Sequence, residues 1–366
     1  MLRLGVLGLG SVFLGPYRQL IRRLEQDEQA RLTAIFDVDR EKTAAVAALY
    51  PSLATPATAA ELVARDDVDA VLVLTSMNEH AELAKAGLKA GKHVLVEKPM
   101  ATNMAAARDL LEFSKSAKGL LVCAPHIVLS PTYRAMHANV HSGKIGNVVL
   151  ARARYGWAGP WWGNWFYRPG GGALFDLGVY NLTSLCGFMG RVKRVCAMVG
   201  TAIPKRMSEG VEIAVQADDN AHVLLDFGDS RFGCVTTGFT MQKYRSPAIE
   251  LYGTTGVLQM LGDDWAPQGF ERWTREREVW EVHDETEPSW PWTVGLRHLV
   301  DCVAAGEHPV NRPEHALHCV EVMLAAQTSA REERYVAIES DFPALDFSRM
   351  PDDPDNHRRK HDPRTT

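Results

Sequence analysis

Met1-Leu2-Arg3-Leu4-Gly5-Val6-Leu7-Gly8-Leu9-Gly10-Ser11-Val12 opens the chain with an apolar run that breaks on two glycines one residue apart. Leu2–Leu7 has the character of a buried strand. Gly8 permits a tight turn out of it, and Gly10 lets the backbone come close to a pyrophosphate. A helix-compatible stretch follows from about Phe13 to Gln26. Its N-terminus would aim free N–H groups and the positive end of its dipole at that phosphate. The third small residue usual in a dinucleotide turn is replaced by Phe13. A strand–helix turn without a ligand is the alternative on this motif alone.

Strand and helix then alternate. Arg31–Phe36 reads as a strand closed by Asp37, Glu41–Leu49 and Ala59–Ala64 as helices, and Val68–Leu74 as a strand buried on both faces. Glu79–Ala90 is a helix stopped by Gly91, Lys92–Val96 a buried strand, Met104–Ser116 a helix and Leu120–Cys123 a last strand. This spacing predicts right-handed βαβ units in a doubly wound parallel sheet, a Rossmann dinucleotide-binding domain over residues 1–123. Asp37 stands where such a sheet offers a carboxylate to an adenosine ribose. A carboxylate there repels a 2′-phosphate and favours NAD, while Arg40 nearby leaves room for NADP. An ordinary turn aspartate is the competing reading.

Glu97-Lys98-Pro99 follows the strand Lys92–Val96, at the carboxyl end where doubly wound sheets bind ligands. A lysine there can hydrogen-bond a substrate hydroxyl and help move its proton. Glu97 would orient Lys98. Pro99 stiffens the turn, and the Lys98–Pro99 bond is a candidate for the cis form.

From about Ala124 the pattern changes. Val148–Tyr155, Val192–Thr201, Val211–Phe227, Phe232–Thr240, Ala248–Leu251 and Val257–Leu261 alternate in character and are joined by short turns. They predict an α+β domain over 124–345 with a large, mainly antiparallel open sheet, one face of which would form a subunit interface. Trp292–Ala305 and Glu314–Ala330 read as late helices, and 346–366 as a disordered tail. Phe175–Leu185 reads as a helix after the Gly170-Gly171-Gly172 turn, with Asp176 and Tyr180 on one face.

These marks together resemble the glucose–fructose oxidoreductase/inositol dehydrogenase/rhizopine-catabolism (Gfo/Idh/MocA) family, over roughly residues 2–340. The motifs that carry the resemblance are Gly8-Leu9-Gly10, Asp37, Val68-Asp69-Ala70-Val71, Asn78, His80 and Glu97-Lys98-Pro99. Gly143-Lys144-Ile145-Gly146, Gly170 to Gly178, Asp219-Asn220-Ala221 and Tyr252-Gly253-Thr254-Thr255-Gly256 continue it. The resemblance implies cofactor contacts from Gly8, Gly10, Ser11, Val12, Asp37, Thr75, Asn78, His80, Glu97 and Lys98. It also implies hydride transfer between a hydroxyl-bearing carbon of a sugar, glycoside or cyclitol and the nicotinamide of NAD. Much of the family has His where this chain has Tyr180, so the chain is similar to the branches that use a tyrosine. Tyr180 is then the expected proton acceptor, with Lys98 its electrostatic partner and Asp176 the orienter of substrate. Lys98 and an oxidised nicotinamide would bring the phenol down toward neutral pH. Core packing of Tyr180 and capping by Asp176 are the competing readings. Alternatives for the whole chain are an NADP-dependent sugar or dicarbonyl reductase, an NAD-recycling glycosidase or eliminase, and a cofactor-binding regulator.

The tryptophans are uneven. Of nine, four (Trp157, Trp161, Trp162, Trp165) fall just before the glycine turn, with Phe166 and Tyr167 directly after them. Flat indole faces suit the C–H faces of a sugar ring. Trp161, Trp162, Trp165, Arg168, Asp176, Tyr180 and His126 are therefore the expected substrate contacts, with core or subunit packing of the indoles as the alternative.

Composition narrows the rest. With 366 residues, 46% hydrophobic and 23% charged, the chain has an ordinary globular make-up, and its net charge of −5 argues against a nucleic-acid partner. No apolar run suits a membrane span, and the opening lacks a signal-peptide pattern, so a cytoplasmic protein is expected; the resemblance implies a homodimer or homotetramer formed through the second-domain sheet. Six scattered cysteines suggest reduced thiols. His137 with His141, and His315 with His318 and Glu321, have helical spacing but no companion acidic cluster, so no metal is expected.

Overall fold

The computed structural model describes residues 1–245, 247–284, 290–348 and 350, so most of the expected tail lies outside the described residues. β1 (Leu2–Leu7) runs into the glycine turn, and a helical stretch leaves it through a π turn, Phe13–Tyr17, into α1 (Arg18–Gln26). β2 (Ala30–Phe36), α2 (Arg40–Leu49), α3 (Ala59–Val63), β3 (Ala70–Val73) and α4 (His80–Lys89) follow. β4 (His93–Val96), α5 (Met104–Ser116) and β5 (Leu121–Cys123) complete an all-parallel sheet in the order β2-β1-β3-β4-β5. β3 and most of β4 are buried, as strands covered by helices on both faces must be. Asp39, Thr58 and Asn103 cap their helices with side-chain oxygens. The strand order reverses between β1 and β3, which opens a crevice at their carboxyl ends. Phe13 is fully buried, and the π turn contains Pro16, so a bulky ring occupies the place usually given to a small residue.

α6 (Pro131–His141), β6 (Val148–Gly156) and α7 (Val179–Met189) begin the second unit. β7 (Arg194–Gly200), a small hairpin of β8 (Lys205–Ser208) and β9 (Val211–Ala214), β10 (Asn220–Gly228) and β11 (Arg231–Gly238) come next. β12 (Ile249–Gly253), β13 (Gly256–Asp263), β14 (Ala266–Thr274), β15 (Trp280–His283), α8 (Gly295–Ala305), α9 (Pro313–Glu332) and β16 (Val336–Ala337) complete the described elements. Nine strands form one sheet, β15-β14-β13-β12-β6-β11-β10-β7-β16, in which only β6 and β11 pair in parallel among the described residues. α7 and α9 cover one face. The other face exposes Leu150, Met198, Leu224 and Phe232.

Three features differ from the sequence expectation. The run Val211–Phe227 is two strands, broken at Asp218-Asp219. Asp219 turns its carboxylate onto the Ala202 and Ile203 N–H groups and Arg206, which ends the alternation. β14 and β15 extend the sheet through a stretch whose apolar residues are diluted by Gly, Glu and Arg. Finally, α8 packs back on the first unit: Leu296, Leu299 and Val300 share a core with Leu4, Val6 and Phe13.

Candidate active site

The end of β4 delivers Glu97 and Lys98 to the crevice through a cis Lys98–Pro99 bond. Lys98 Nζ donates to Asp176 Oδ1 at 2.5 Å and to the Asp176 carbonyl at 2.9 Å. It also lies 5.3 Å from the centroid of the Tyr180 ring. One ammonium therefore joins the two residues that helical spacing put on one face. Glu97 braces the turn instead of the Lys98 side chain: its carboxylate accepts the Lys98 backbone N–H and the Tyr17 hydroxyl, at 3.1 and 2.8 Å. Burial pushes the Glu97 carboxyl up.

Tyr180 is buried and meets Tyr155 edge-on, centroids 5.6 Å apart. Burial, with Glu97, Tyr155 and Asp176 nearby, holds its phenol well above the usual value. Lys98 by itself does not offset this burial. Lys98 is engaged by Asp176 and faces the ring.

The crevice between β1 and β3 fits a dinucleotide. Gly8 has φ +98°, and a Cβ there would stand 2.6 Å from the Leu74 carbonyl oxygen and 2.9 Å from the Thr75 nitrogen. A Cβ on Gly10 would meet only open space, a cradle beside Ser11 and Val12 at the start of the helical stretch. Asp37 accepts the Leu9 N–H at 2.7 Å and the Asp39 N–H at 2.8 Å, one on each oxygen. Each oxygen keeps lone-pair capacity for a ribose hydroxyl.

Two expected contacts sit elsewhere. His80 is buried behind the crevice, its ring nitrogens 2.8 Å from the Pro99 carbonyl and 3.0 Å from the Thr75 carbonyl. It ties two crevice loops together and is shut off from a ligand by them. His126 is buried against Gly295, and burial takes its pKa down to about 3, so it is a packed neutral ring. Asn78 is a bridge: it donates to the Pro169 carbonyl at 3.4 Å and accepts from Thr102, linking the first unit to the Gly170 turn.

The aromatic loop is a surface. Trp161 is 69% exposed, and Trp162, Trp165 and Arg168 are also exposed. Trp157 stacks on Trp162, and Trp165 on Phe166 at 3.6 Å.

Several residues of this region escaped sequence reading. Asp218 accepts the Leu174 N–H at 2.9 Å, and its carbonyl accepts the Ala173 N–H, so it anchors the π turn Leu174–Gly178 that carries Asp176. Asp264, fully buried after β13, accepts from Asn181 at 2.7 Å, and burial raises its pKa to about 8. Neither has a local signature, since a turn aspartate looks alike buried or solvated. His318 and Glu321 are structural: His318 takes the Val192 N–H, and Glu321 takes the Glu339 and Ser340 N–H groups.

Comparison with known proteins agrees with this geometry. Residues 2–124 match the oxidoreductase family with an NAD-binding Rossmann fold, and residues 133–259 match the GFO/IDH/MocA C-terminal domain. The chain belongs to the Gfo/Idh/MocA family and is an oxidoreductase. It is 27% identical over 344 residues to the dTDP-3,4-didehydro-2,6-dideoxy-alpha-D-glucose 3-reductase of Actinomadura kijaniata, covering 90% of this chain and 96% of that protein. It is 29% identical over 216 residues to the human trans-1,2-dihydrobenzene-1,2-diol dehydrogenase, covering 57% and 59%. Levoglucosan dehydrogenase, solved with NADH and levoglucosan, shares the fold with a TM-score of 0.82 at 20% identity, over 92% of this chain and 99% of that one. Among the described residues no helix is long and apolar enough to cross a membrane.

Proposed function

We propose that this oxidoreductase moves a hydride between NAD and a secondary hydroxyl carbon of a sugar, glycoside or cyclitol. The reading rests on the meeting of Lys98, Asp176 and Tyr180 beside a crevice built for a dinucleotide. Gly8, Gly10 and the helical start at Ser11 would hold the pyrophosphate, and Asp37 the adenosine ribose. NAD is favoured over NADP because Asp37 repels a 2′-phosphate. Arg40 is also turned away: its guanidinium donates to the Pro56 and Ala57 carbonyls and lies over the Phe36 ring. The nicotinamide, when bound, supplies the hydride acceptor or donor.

Lys98 would hold the reacting oxygen and stabilise charge on it, while Asp176 fixes the ammonium in place. Tyr180 would exchange the proton. Burial raises that phenol; it would donate its proton to a keto substrate in the reducing direction and take it back in the oxidising one, so a reductase is the second reading. The names of the curated relatives include both reductases and dehydrogenases. The exposed indoles would stack on the sugar, and the bare face of the nine-stranded sheet would pair subunits.

The test is a panel of sugars, glycosides and cyclitols, with their keto forms, assayed by the absorbance of the reduced nicotinamide with NAD(H) and NADP(H) in parallel. Turnover with NAD(H) on hydroxyl or keto sugars supports the reading. Turnover confined to NADP(H) would overturn the role of Asp37.

A further inference from the structure

Cys186 on α7 and His315 and Cys319 on α9 meet between the two helices, all but sealed from solvent. His315 and Cys319 are four residues apart and share one face of α9. One ligand atom from each residue, the two sulfurs and a His315 ring nitrogen, lies within 4.8 Å of the others. Both ring nitrogens of His315 are buried, and neither has a well-aligned hydrogen-bond partner. The ring is pressed flat on Phe342, centroids 4.2 Å apart and planes 5° from parallel. Its polar neighbour is the Cys319 thiol, which interacts with the ring but is a weak hydrogen-bonding group, so a buried imidazole held only by sulfur calls for an explanation. The neighbouring polar residues of α9 are engaged elsewhere: His318 bonds Val192 and Ser340, and Glu321 bonds the backbone at 339 and 340.

We propose that Cys186, His315 and Cys319 form a binding site for one soft d10 ion, Zn²⁺ or Cu⁺. Two thiolates and an imidazole are the ligands such ions select, whereas Mg²⁺ and Ca²⁺ need oxygens. With bonds of about 2.0–2.3 Å, ligand atoms around a bound ion stand about 3.5–4 Å apart. Side-chain rotation of the cysteines would have to close the remaining gap. Thr183 Oγ1, 3.6 Å from Cys319 Sγ, offers the oxygen that a four-coordinate Zn²⁺ would add. Cu⁺ is satisfied with the three. Binding releases the two thiol protons and makes two metal–sulfur bonds and one metal–nitrogen bond, with no change of oxidation state. The ion would pin α7, whose first turn carries Tyr180, to α9. It would touch neither substrate nor cofactor, so the site stands or falls apart from the proposed reaction.

The test uses the full chain, reduced and purified without chelator from cells grown with added zinc or, separately, added copper. One equivalent of metal should remain per chain after gel filtration. X-ray absorption at the metal edge should show two sulfur ligands and one nitrogen, with an added oxygen for zinc alone. Cys319→Ser should lose the metal and Cys302→Ser, a cysteine beside His298 elsewhere in the fold, should keep it. Should Cys319→Ser fail to fold, Co²⁺ loading of the unaltered chain decides, because thiolate ligation gives a strong near-ultraviolet charge-transfer band. Well under one equivalent of both ions, a coordination sphere without sulfur, or equal loss in Cys302→Ser would each overturn the site.

Discussion

Lys98 reaches out of the parallel sheet to grip Asp176 twice, at the carboxylate and at the carbonyl, so one side chain ties the first unit to the turn that leads into α7. The pair is largely removed from solvent. Lys98→Met should lower kcat by about 10²–10⁴-fold, the range for losing a positioned proton-transfer or charge-stabilising group. Asp176→Asn keeps an acceptor for Lys98 and should cost less. Because the two act as one unit, adding Asp176→Asn to Lys98→Met should lower kcat by much less than it does alone. Steady-state kinetics of the four proteins measures this. Independent, additive losses would show that the contact has no catalytic consequence.

The two glycines of the first turn should fail in different ways. Gly8→Ala places a methyl against the Leu74 carbonyl at a positive φ, and should destabilise the fold by about 1–3 kcal/mol. Gly10→Ala meets no protein atom, so the melting temperature should hold while the Kd for NAD rises about tenfold or more. Thermal melts beside calorimetric NAD titration separate the two. A Gly10→Ala protein with unchanged NAD affinity would remove the cofactor from that cradle.

This contrast explains what sequence could and could not reveal. Gly8, Gly10, Asp37 and Lys98 are legible because backbone geometry and strand ends restrict the residue type, and the motif lies within a few positions. The parallel sheet is legible because a strand buried on both faces is an unbroken apolar run, as in 70–74. Asp218 and Asp264 are not, since their roles arise only when segments far apart in sequence bury them. His80 and His126 show the converse: both are near the motifs in sequence, yet packing turns them away from the crevice. β14 and β15 have too thin an apolar alternation to announce a strand, and pair because β13 offers an edge.

Asp264 should make stability depend on pH. Its carboxyl is raised from the ordinary range to about 8, so the fold holds a proton that the unfolded chain releases near pH 4. Folded protein therefore binds more protons between about pH 4 and 8. The stability contribution is intact below that window and is lost as pH rises through it, at up to about 1.4 kcal/mol per pH unit. Asp264→Asn stays neutral and can still accept from Asn181. Its melting temperature should gain on that of the unaltered protein from pH 5 to pH 8. A difference that is flat across this range would mean that Asp264 ionises normally.

Phe232 on β11 is the register partner of Leu150 on β6, and both are exposed with Leu224 and Met198 on the bare side of the nine-stranded sheet. An apolar patch of this kind marks an interaction surface. Light scattering should find a dimer or larger. The double substitution Leu224→Asp and Phe232→Asp should give a monomer with unchanged circular dichroism. A monomeric unaltered protein at micromolar concentration would refute the subunit interface.

Trp161 separates the two readings of the aromatic loop. Its ring is mostly exposed and meets Trp162 edge-on at 5.5 Å, while its backbone carbonyl accepts the Glu209 N–H. Trp161→Ala removes no core and should change stability by no more than about 0.5 kcal/mol. If the ring stacks on substrate, KM should rise about tenfold, equivalent to about 1.4 kcal/mol, with kcat nearly constant, the sign of binding lost equally from ground and transition states. Trp165→Ala differs because Trp165 stacks on the buried Phe166, so it should lower the melting temperature as well. Measured on the best substrate of the panel, a raised KM in Trp161→Ala at constant melting temperature assigns the loop to the sugar. An unchanged KM would leave these indoles to packing or subunit contact, and would move substrate selection to the buried side of the cleft around Tyr155 and Tyr180.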